Sequence, residues 1–459
     1  MCATSVTVAL SSVLVSRPNP GPPIPSISIR LQARFAHCVE AHLRRIILSR
    51  LSCFCVWTIL FALCFQGQAG FVLALDEPAK VEDGRRDDQG RQIVSKTLGI
   101  SVSGYLEGSY TQNFNNPSNG INQLRIFDVN ANEFRPNVAK FVLDREAHAD
   151  GTGWDRAGFH VKFNAGKDSQ FIGGTNLSPY ADFQEFYAQY VLPIGKGLDI
   201  KAGRINTLIG FEGLESPENP NYSRSWLFGL GQPFTTFGLR ASYEFSKQVS
   251  FSIGGINSIT SATGDSTNKP MVESALVLTP TERFKATFYG LFGPRPGQRP
   301  RSEGNRVLGG GFLSYQLTEK ASMVLEAYYA NQERASDLSR GGNARWDGVA
   351  GYFIYDVTKQ WGFRFRSEVF EDAGGFVSCN GTESFPKANV CFGATQNRTS
   401  RDVAQTLWET TGTLQYRPFA SLLTRLEYRY DKSDRNVFQQ GNRATNYQPT
   451  LTLDVVYFF

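Results

Sequence analysis

Hydrophobic and polar residues alternate along the chain with a period of two, and the last ten residues show it most plainly. Counting back from the end, Phe459, Tyr457, Val455, Leu453 and Leu451 fall on one side of an extended strand, and Thr450, Thr452 and Asp454 on the other. Val456 and Phe458 break the polar side at the tip. Further back, Phe363, Phe365 and Val369 oppose Arg364, Arg366 and Glu368, while Leu426, Tyr428 and Tyr430 oppose Arg425, Glu427, Arg429 and Asp431. In the stretch Thr235, Phe237, Leu239, Ala241, Tyr243 and Phe245 the apolar side is continuous, with Arg240 and Glu244 opposite. Sixteen such runs, bounded by turn residues, predict strands at about 99–111, 137–149, 156–164, 181–192, 198–210, 233–246, 248–258, 270–279, 282–292, 305–317, 320–332, 345–357, 360–371, 403–416, 419–431 and 448–459.

The connections alternate in length. Links such as Pro193 to Gly197, Thr279 to Thr281 and Val357 to Gln360 are short, whereas polar segments near 112–136, 165–180, 211–232, 259–270, 293–304, 333–344, 372–402 and 432–447 are long. Reversals therefore occur on two different sides of one antiparallel sheet. Membrane barrels of the outer-membrane type have short periplasmic turns and long outward loops, which sets the sidedness and puts both ends of the barrel in the periplasm. Leu124 to Phe134 is apolar enough for a strand, but counting it would reverse the parity of the hairpins, so it belongs to the first long loop. Lipid on one face and water on the other explains the pattern, since an Arg turned into mid-bilayer lipid costs roughly 2–4 kcal/mol. Sixteen strands also enclose a lumen too wide for wall side chains to fill. A soluble β-sandwich is the competing reading. The aromatic end strand, which resembles the C-terminal strand that outer-membrane assembly machinery reads through a terminal Phe, argues against it.

Composition changes the picture at the N-terminus. Of 47 Lys and Arg, six Arg precede Leu75, and of 42 acids only Glu40 does, so the remainder carries 41 of each sign. The net charge of +5 belongs to the leader and gives no reason to expect a nucleic-acid partner. Residues 1–74 are expected to be that leader. Arg44, Arg45 and Arg50 precede the apolar run Leu51 to Phe65, and small residues follow at Ala69 and Ala74, the pattern of a cleaved secretory signal. A membrane anchor and lipoprotein processing at Cys64 are the competing readings, and residues 1–41 suggest a start placed too early. Residues 75–98 are charged and read as a disordered periplasmic lead-in, and 99–459 as one barrel domain. Five of seven cysteines lie in the leader. Cys379 and Cys391 remain and, in an oxidising compartment, are expected to pair across the outer surface of the seventh loop, with two free thiols or a metal site as alternatives.

The segment from Phe211 to Gln232 is the third outward loop. Gly203-Arg204, Gly210-Phe211-Glu212 and Asn221-Tyr222-Ser223-Arg224-Ser225, in and around it, resemble motifs of the OmpL-like β-barrel porin family, a resemblance that covers residues 99–459. It implies a pore-forming barrel of the outer membrane of a Gram-negative-type bacterium, passing small polar solutes or ions. General porins fold their third loop inward, which makes Glu212, Glu215 and Arg224 candidates for a constriction facing Arg240, Arg364 and Arg366. Glu244, Glu368, Arg425, Glu427 and Arg429 are the expected lumen charges. Expected partners are outer-membrane lipid, barrel-assembly machinery at Phe459 and solutes, with a homotrimer as the candidate assembly. A barrel that binds or adheres through its loops is the alternative function. No cofactor is expected. An enzyme is disfavoured: after the leader only His148 and His160 remain, with no nucleophile motif or cluster of metal ligands beside them.

Overall fold

The computed structural model describes residues 92–95, 98–172, 177–259, 269–296, 303–336, 342–379, 389–392 and 403–459. The leader and residues 75–91 lie outside the described residues. Within the expected disordered lead-in, Gln92–Ser95 instead form a short strand, β1, whose backbone pairs antiparallel with the start of β2.

Sixteen longer strands follow: β2 Ile100–Asn113, β3 Glu133–Arg145, β4 Ala157–Ala165, β5 Ala181–Leu192, β6 Leu198–Asn206, β7 Thr235–Ser246, β8 Val249–Ile259, β9 Met271–Thr281, β10 Phe284–Pro296, β11 Glu303–Thr318, β12 Ala321–Ser336, β13 Gly342–Asp356, β14 Trp361–Asp372, β15 Gln405–Phe419, β16 Leu422–Ser433 and, after a small hairpin of β17 (Phe438–Gln440) and β18 (Arg443–Thr445), β19 Tyr447–Phe458. Each of the sixteen pairs antiparallel with the next, and β19 pairs back onto β2, from Thr450 opposite Asn113 to Phe458 opposite Tyr105. The ladder is a closed ring. Every expected run is present, with ends shifted by a few residues: β3 begins at Glu133, taking Phe134 out of the first loop, and β6 stops at Asn206.

Closure lets the two faces meet different surroundings. On β14, Phe365 is 37% exposed and its neighbour Arg366 fully covered; on β16, Tyr428 is 48% exposed and Arg429 1%. The outward face is the apolar one, as a lipid-facing wall requires. Thr235 departs from the expected outward set: it is buried and its hydroxyl oxygen receives a hydrogen bond from the guanidinium of Arg204. The β7 register against β6 is unbroken through Thr235, which therefore keeps the parity of Phe237 and is covered there by Arg204.

The seam is finished by the last residue. The Phe459 amide donates to the Gly104 carbonyl and the Gly104 amide to the Phe459 carboxyl-end oxygen, both at 3.1 Å. The Phe459 ring packs against Phe141. Val456, off-pattern in the sequence, is buried inward with Tyr105, Val138 and Leu423, so the inner wall is apolar at this end. Gly104 makes the seat possible. A Cβ there would come within 2.6 Å of the Phe459 ring and 2.1 Å of the Lys140 carbonyl. Gly104→Ala is therefore expected to cost about 1–3 kcal/mol and to lower the fraction of heat-modifiable, folded barrel on detergent gels, whereas Gly351→Ala, within β13 where no neighbour approaches, keeps the seam intact.

Candidate functional site: loop 3 in the lumen

The inward charges are not left to water. Loop 3, residues 207–234 between β6 and β7, crosses the barrel and touches strands around the wall. Its backbone amides are received by three wall carboxylates. Phe211 donates to Glu326 at 3.0 Å, Tyr222 and Ser223 to Glu427 at 2.7 and 3.0 Å, and Trp226 and Leu227 to Glu368 at 2.5 and 3.2 Å. A loop without a ladder of its own needs such acceptors, because an unpaired buried N–H costs about 1–3 kcal/mol. The carboxylates come from β12, β14 and β16, alternate strands of one side of the ring.

Arginines complete the clamp. Arg366 joins Glu212 of the loop at 2.7 Å to Glu409 of the wall at 2.6 Å and also donates to the Ser223 carbonyl. Arg425 donates to the Ser216 carbonyl and hydroxyl while paired with Asp454 at 2.7 Å. Arg429 pairs with Asp431 at 2.7 Å and donates to the Arg224 carbonyl. Charge-assisted bonds of this kind are the stronger class. On the opposite flank Glu215 receives Lys162 at 2.7 Å, Gln184 at 2.7 Å and Lys140 at 3.5 Å.

The rest of the loop packs on an apolar part of the inner wall. Ile209, Trp226 and Leu227 join Ile256, Tyr289, Tyr328 and Trp346 in one cluster, with Phe211 lodged between Phe312 and Tyr352. Tyr328 donates to the Leu227 carbonyl and Trp346 to the Gly231 carbonyl. Close approach of β11 and β12 behind this cluster rests on Gly310, where a Cβ would lie 2.3 Å from that of Tyr328.

Above loop 3, described parts of loops 1, 7 and 8 are knitted together. Leu124 of loop 1 (114–132) donates to Val390 of loop 7 (373–404), Asn389 donates to Arg125, and Phe392 donates to Val437 of loop 8 (434–446). Arg125 lies buried between Asp128 and Asp431, the latter at 2.6 Å. Cys379 and Cys391 form a disulfide with Cα atoms 4.8 Å apart. Expected on a surface flap, both sulfurs are instead fully buried in the inner apolar cluster, because loops 1 and 8 fold over them.

Several of the expected constriction residues are not brought together. Arg364 sits three residues from the periplasmic start of β14 and pairs with Asp356 at 2.6 Å, too near the mouth to meet the loop. Arg240 pairs with Glu273 at 2.7 Å and donates to Thr236 and to the carbonyl of Asn206, the last residue of β6, so its bonds stay on the wall. Arg224 spends its donors on the loop's own Gly213, Tyr222 and Leu214 carbonyls and lies over the Phe127 ring. Glu212 and Arg366 do meet. Glu215 meets lysines in place of arginines. Glu368, Arg425, Glu427 and Arg429 face inward but are dry, since loop backbone has replaced solvent; Glu244 is exposed at the periplasmic end of β7. Lys140, Lys162, Glu326, Glu107 and Asp454 were missed. Lys162 and Glu107 lie on inward positions of their strands, a signal alternation alone could have supplied.

His160 lies on the same inner wall, its Nδ1 2.7 Å from Asp144 and its ring stacked on Tyr187; His148 stays in the turn after β3. Among the described residues no group of three or more His, Cys, Asp and Glu is arranged to hold a metal ion.

A model of one protein family matches residues 99–459, the whole of the ring. The chain belongs to that family, described as putative beta-barrel porin-2, OmpL-like. The family's barrel is an outer-membrane one, and Glu212 and Tyr222 to Ser225 are parts of loop 3 that meet Arg366 and Glu427. Solved structures share the fold at low identity. The outer membrane channel DcaP of Acinetobacter baumannii is 13% identical, covering 82% of this chain and 99% of its own, with a TM-score of 0.52. The anion-selective porin from Comamonas acidovorans is 8% identical over 78% and 99%, with a TM-score of 0.51. OmpT of Vibrio cholerae is 8% identical over 80% and 100%, with a TM-score of 0.50. No curated protein matches the sequence.

Two expectations test how this family member holds its loop. Glu427→Ala orphans the Tyr222 and Ser223 amides, which is expected to cost about 2–4 kcal/mol and to lower the unfolding midpoint, with noisier single-channel current. The Glu215 carboxyl, which burial alone would raise, is held well below the usual range by Lys140 and Lys162. A depressed carboxylate contributes stability at pH above its unfolded value and loses it only as pH falls through the folded one. Melting curves of the native protein and Glu215→Gln are thus expected to differ at neutral pH and still at pH 4, converging only in stronger acid.

Proposed function

We propose that the chain is a narrow outer-membrane porin through which small polar solutes or ions diffuse passively, with loop 3 as the constriction and no chemical step. The observation that carries this reading is a polar, charge-bearing loop strapped inside a closed barrel whose outer face is apolar. Fixed charges in a narrow, low-dielectric passage sort solutes by size and sign. Glu212 with Arg366, and Glu215 with Lys140 and Lys162, define the loop's edges; Arg224 shapes the loop from within. Export through a cleaved signal, assembly through the strand ending at Phe459 and association into a homotrimer belong to the same proposal. The Comamonas porin and a trimer form of OmpT offer precedents for a channel and for threefold assembly in relatives of this fold.

The knitting of loops 1, 7 and 8 across the mouth favours a second reading, a barrel that acts by binding through its outer surface. Conductance separates the two. Purified protein in planar bilayers is expected to give small, discrete conductance steps; a folded barrel that never conducts rejects the porin reading and leaves the binding one.

A further inference from the structure

A short chain of shared contacts runs along the inner wall from His160 to loop 3. The imidazole meets Asp144 of β3 through Nδ1 at 2.7 Å, and its ring stacks on Tyr187 of β5 with centroids 5.2 Å apart. A neutral imidazole has one donor and one acceptor, and the Asp144 carboxylate keeps the proton on Nδ1. Nε2 is then an acceptor. It is buried without a hydrogen-bond partner and lies 3.7 Å from Glu185 Oε2, so two acceptors face each other.

Glu185 is where this wall meets the root of loop 3. Its Oε2 also receives Lys162 at 2.6 Å, and the same ammonium reaches Glu215 of the loop at 2.7 Å. Its Oε1 receives the backbone amide of Asn206, the last residue of β6 before the loop, at 2.8 Å. The Asn206 side-chain amide in turn lies 3.4 Å from both oxygens of Glu215. One carboxylate thus faces the histidine on one side and holds two ties of the loop on the other. The other charged groups around these residues are Lys201 and Asp199 of β6, the former 4.8 Å over the Tyr187 ring, and Lys140 and Glu218, which act on Lys162 and Glu215.

We propose that His160 is a proton-operated switch on loop 3, which on taking up a proton at Nε2 loosens the root of the loop through Glu185. The inference rests on the porin reading and adds regulation of its constriction. Histidine is the side chain that changes charge between about pH 5 and 8, and 15% of this one is exposed, so solvent protons reach it. A second proton turns Nε2 into a donor aimed at Glu185. The carboxylate that turns to accept it leaves the Asn206 amide, while the new positive charge repels Lys162. Neither shift touches Glu326, Glu368 and Glu427, which keep the loop inside the barrel. Acid therefore frees one edge of a loop that stays strapped elsewhere, and a freed edge in a narrow passage interrupts the current.

The experiment is single-channel recording of the full-length protein in planar bilayers at fixed salt, from about pH 8 down to about pH 5, the range in which histidine changes charge. Native channels are expected to close briefly about fivefold more often at the acid end, the factor a unit charge exerts at about 4 Å in water. His160→Gln, which gains no proton, should show no such rise, and Lys162→Met should blunt it by cutting the link to Glu215. His148→Gln, in the turn after β3, should respond to pH as the native protein does. Heat-modifiable mobility on gels checks that each variant is folded, and His160→Gln decides alone if Lys162→Met is not. Native closures that do not become more frequent in acid overturn the inference while leaving the porin reading intact, as does a rise in His160→Gln equal to that of the native protein. Folded native protein with no conductance at any pH overturns the porin reading itself and the inference with it.

Discussion

Hydrocarbon offers no hydrogen-bond partner, so a sheet that crosses a bilayer must satisfy all its backbone groups within itself. Everything in this molecule follows from meeting that demand by closure. β19 returns to β2, Phe459 and Gly104 exchange their last hydrogen bonds, and no strand edge remains open along the seam. With the edges gone, each strand is free to be greasy outside and charged inside. The alternation seen in the bare sequence is the imprint of that division.

Closure creates a second demand. A ring of sixteen strands leaves an interior that wall side chains cannot fill, and the inward acids and arginines would face either water or something polar. Loop 3 supplies the latter with its own backbone. Amides that would otherwise be orphaned are received by Glu326, Glu368 and Glu427, so the same carboxylates that need solvation are solvated by the loop that needs acceptors. The apolar half of the inner wall takes the loop's Ile209, Phe211 and Trp226 in the same way. Loop and wall are complementary halves of one interior.

The strands, their parity and the sidedness of the loops were legible in the sequence because each depends on neighbours two residues apart or on the length of a link. Loop order and face put Glu212 in the inward loop and Arg366 on the inner wall, but not which acid meets which arginine. What alternation does not encode is height along the barrel. Arg364 and Arg366 share a face, yet one sits at the periplasmic mouth with Asp356 and the other under the loop, a difference fixed by strand ends and stagger. Nor does it encode a carboxylate's choice of a backbone amide as partner, since every residue of loop 3 offers the same N–H; Glu368 and Glu427 therefore looked like wet lumen charges. Thr235 differs for a third reason: it keeps the parity of its strand but lies at the strand's end, where Arg204 covers it.

The disulfide has a consequence for how the barrel is made. Its two sulfurs are sealed beneath loops 1 and 8, out of reach of any oxidant once those loops have settled. Oxidation must then precede the closing of loops 1 and 8, and from that moment the bridge is shut away from reductants in the surrounding water as well.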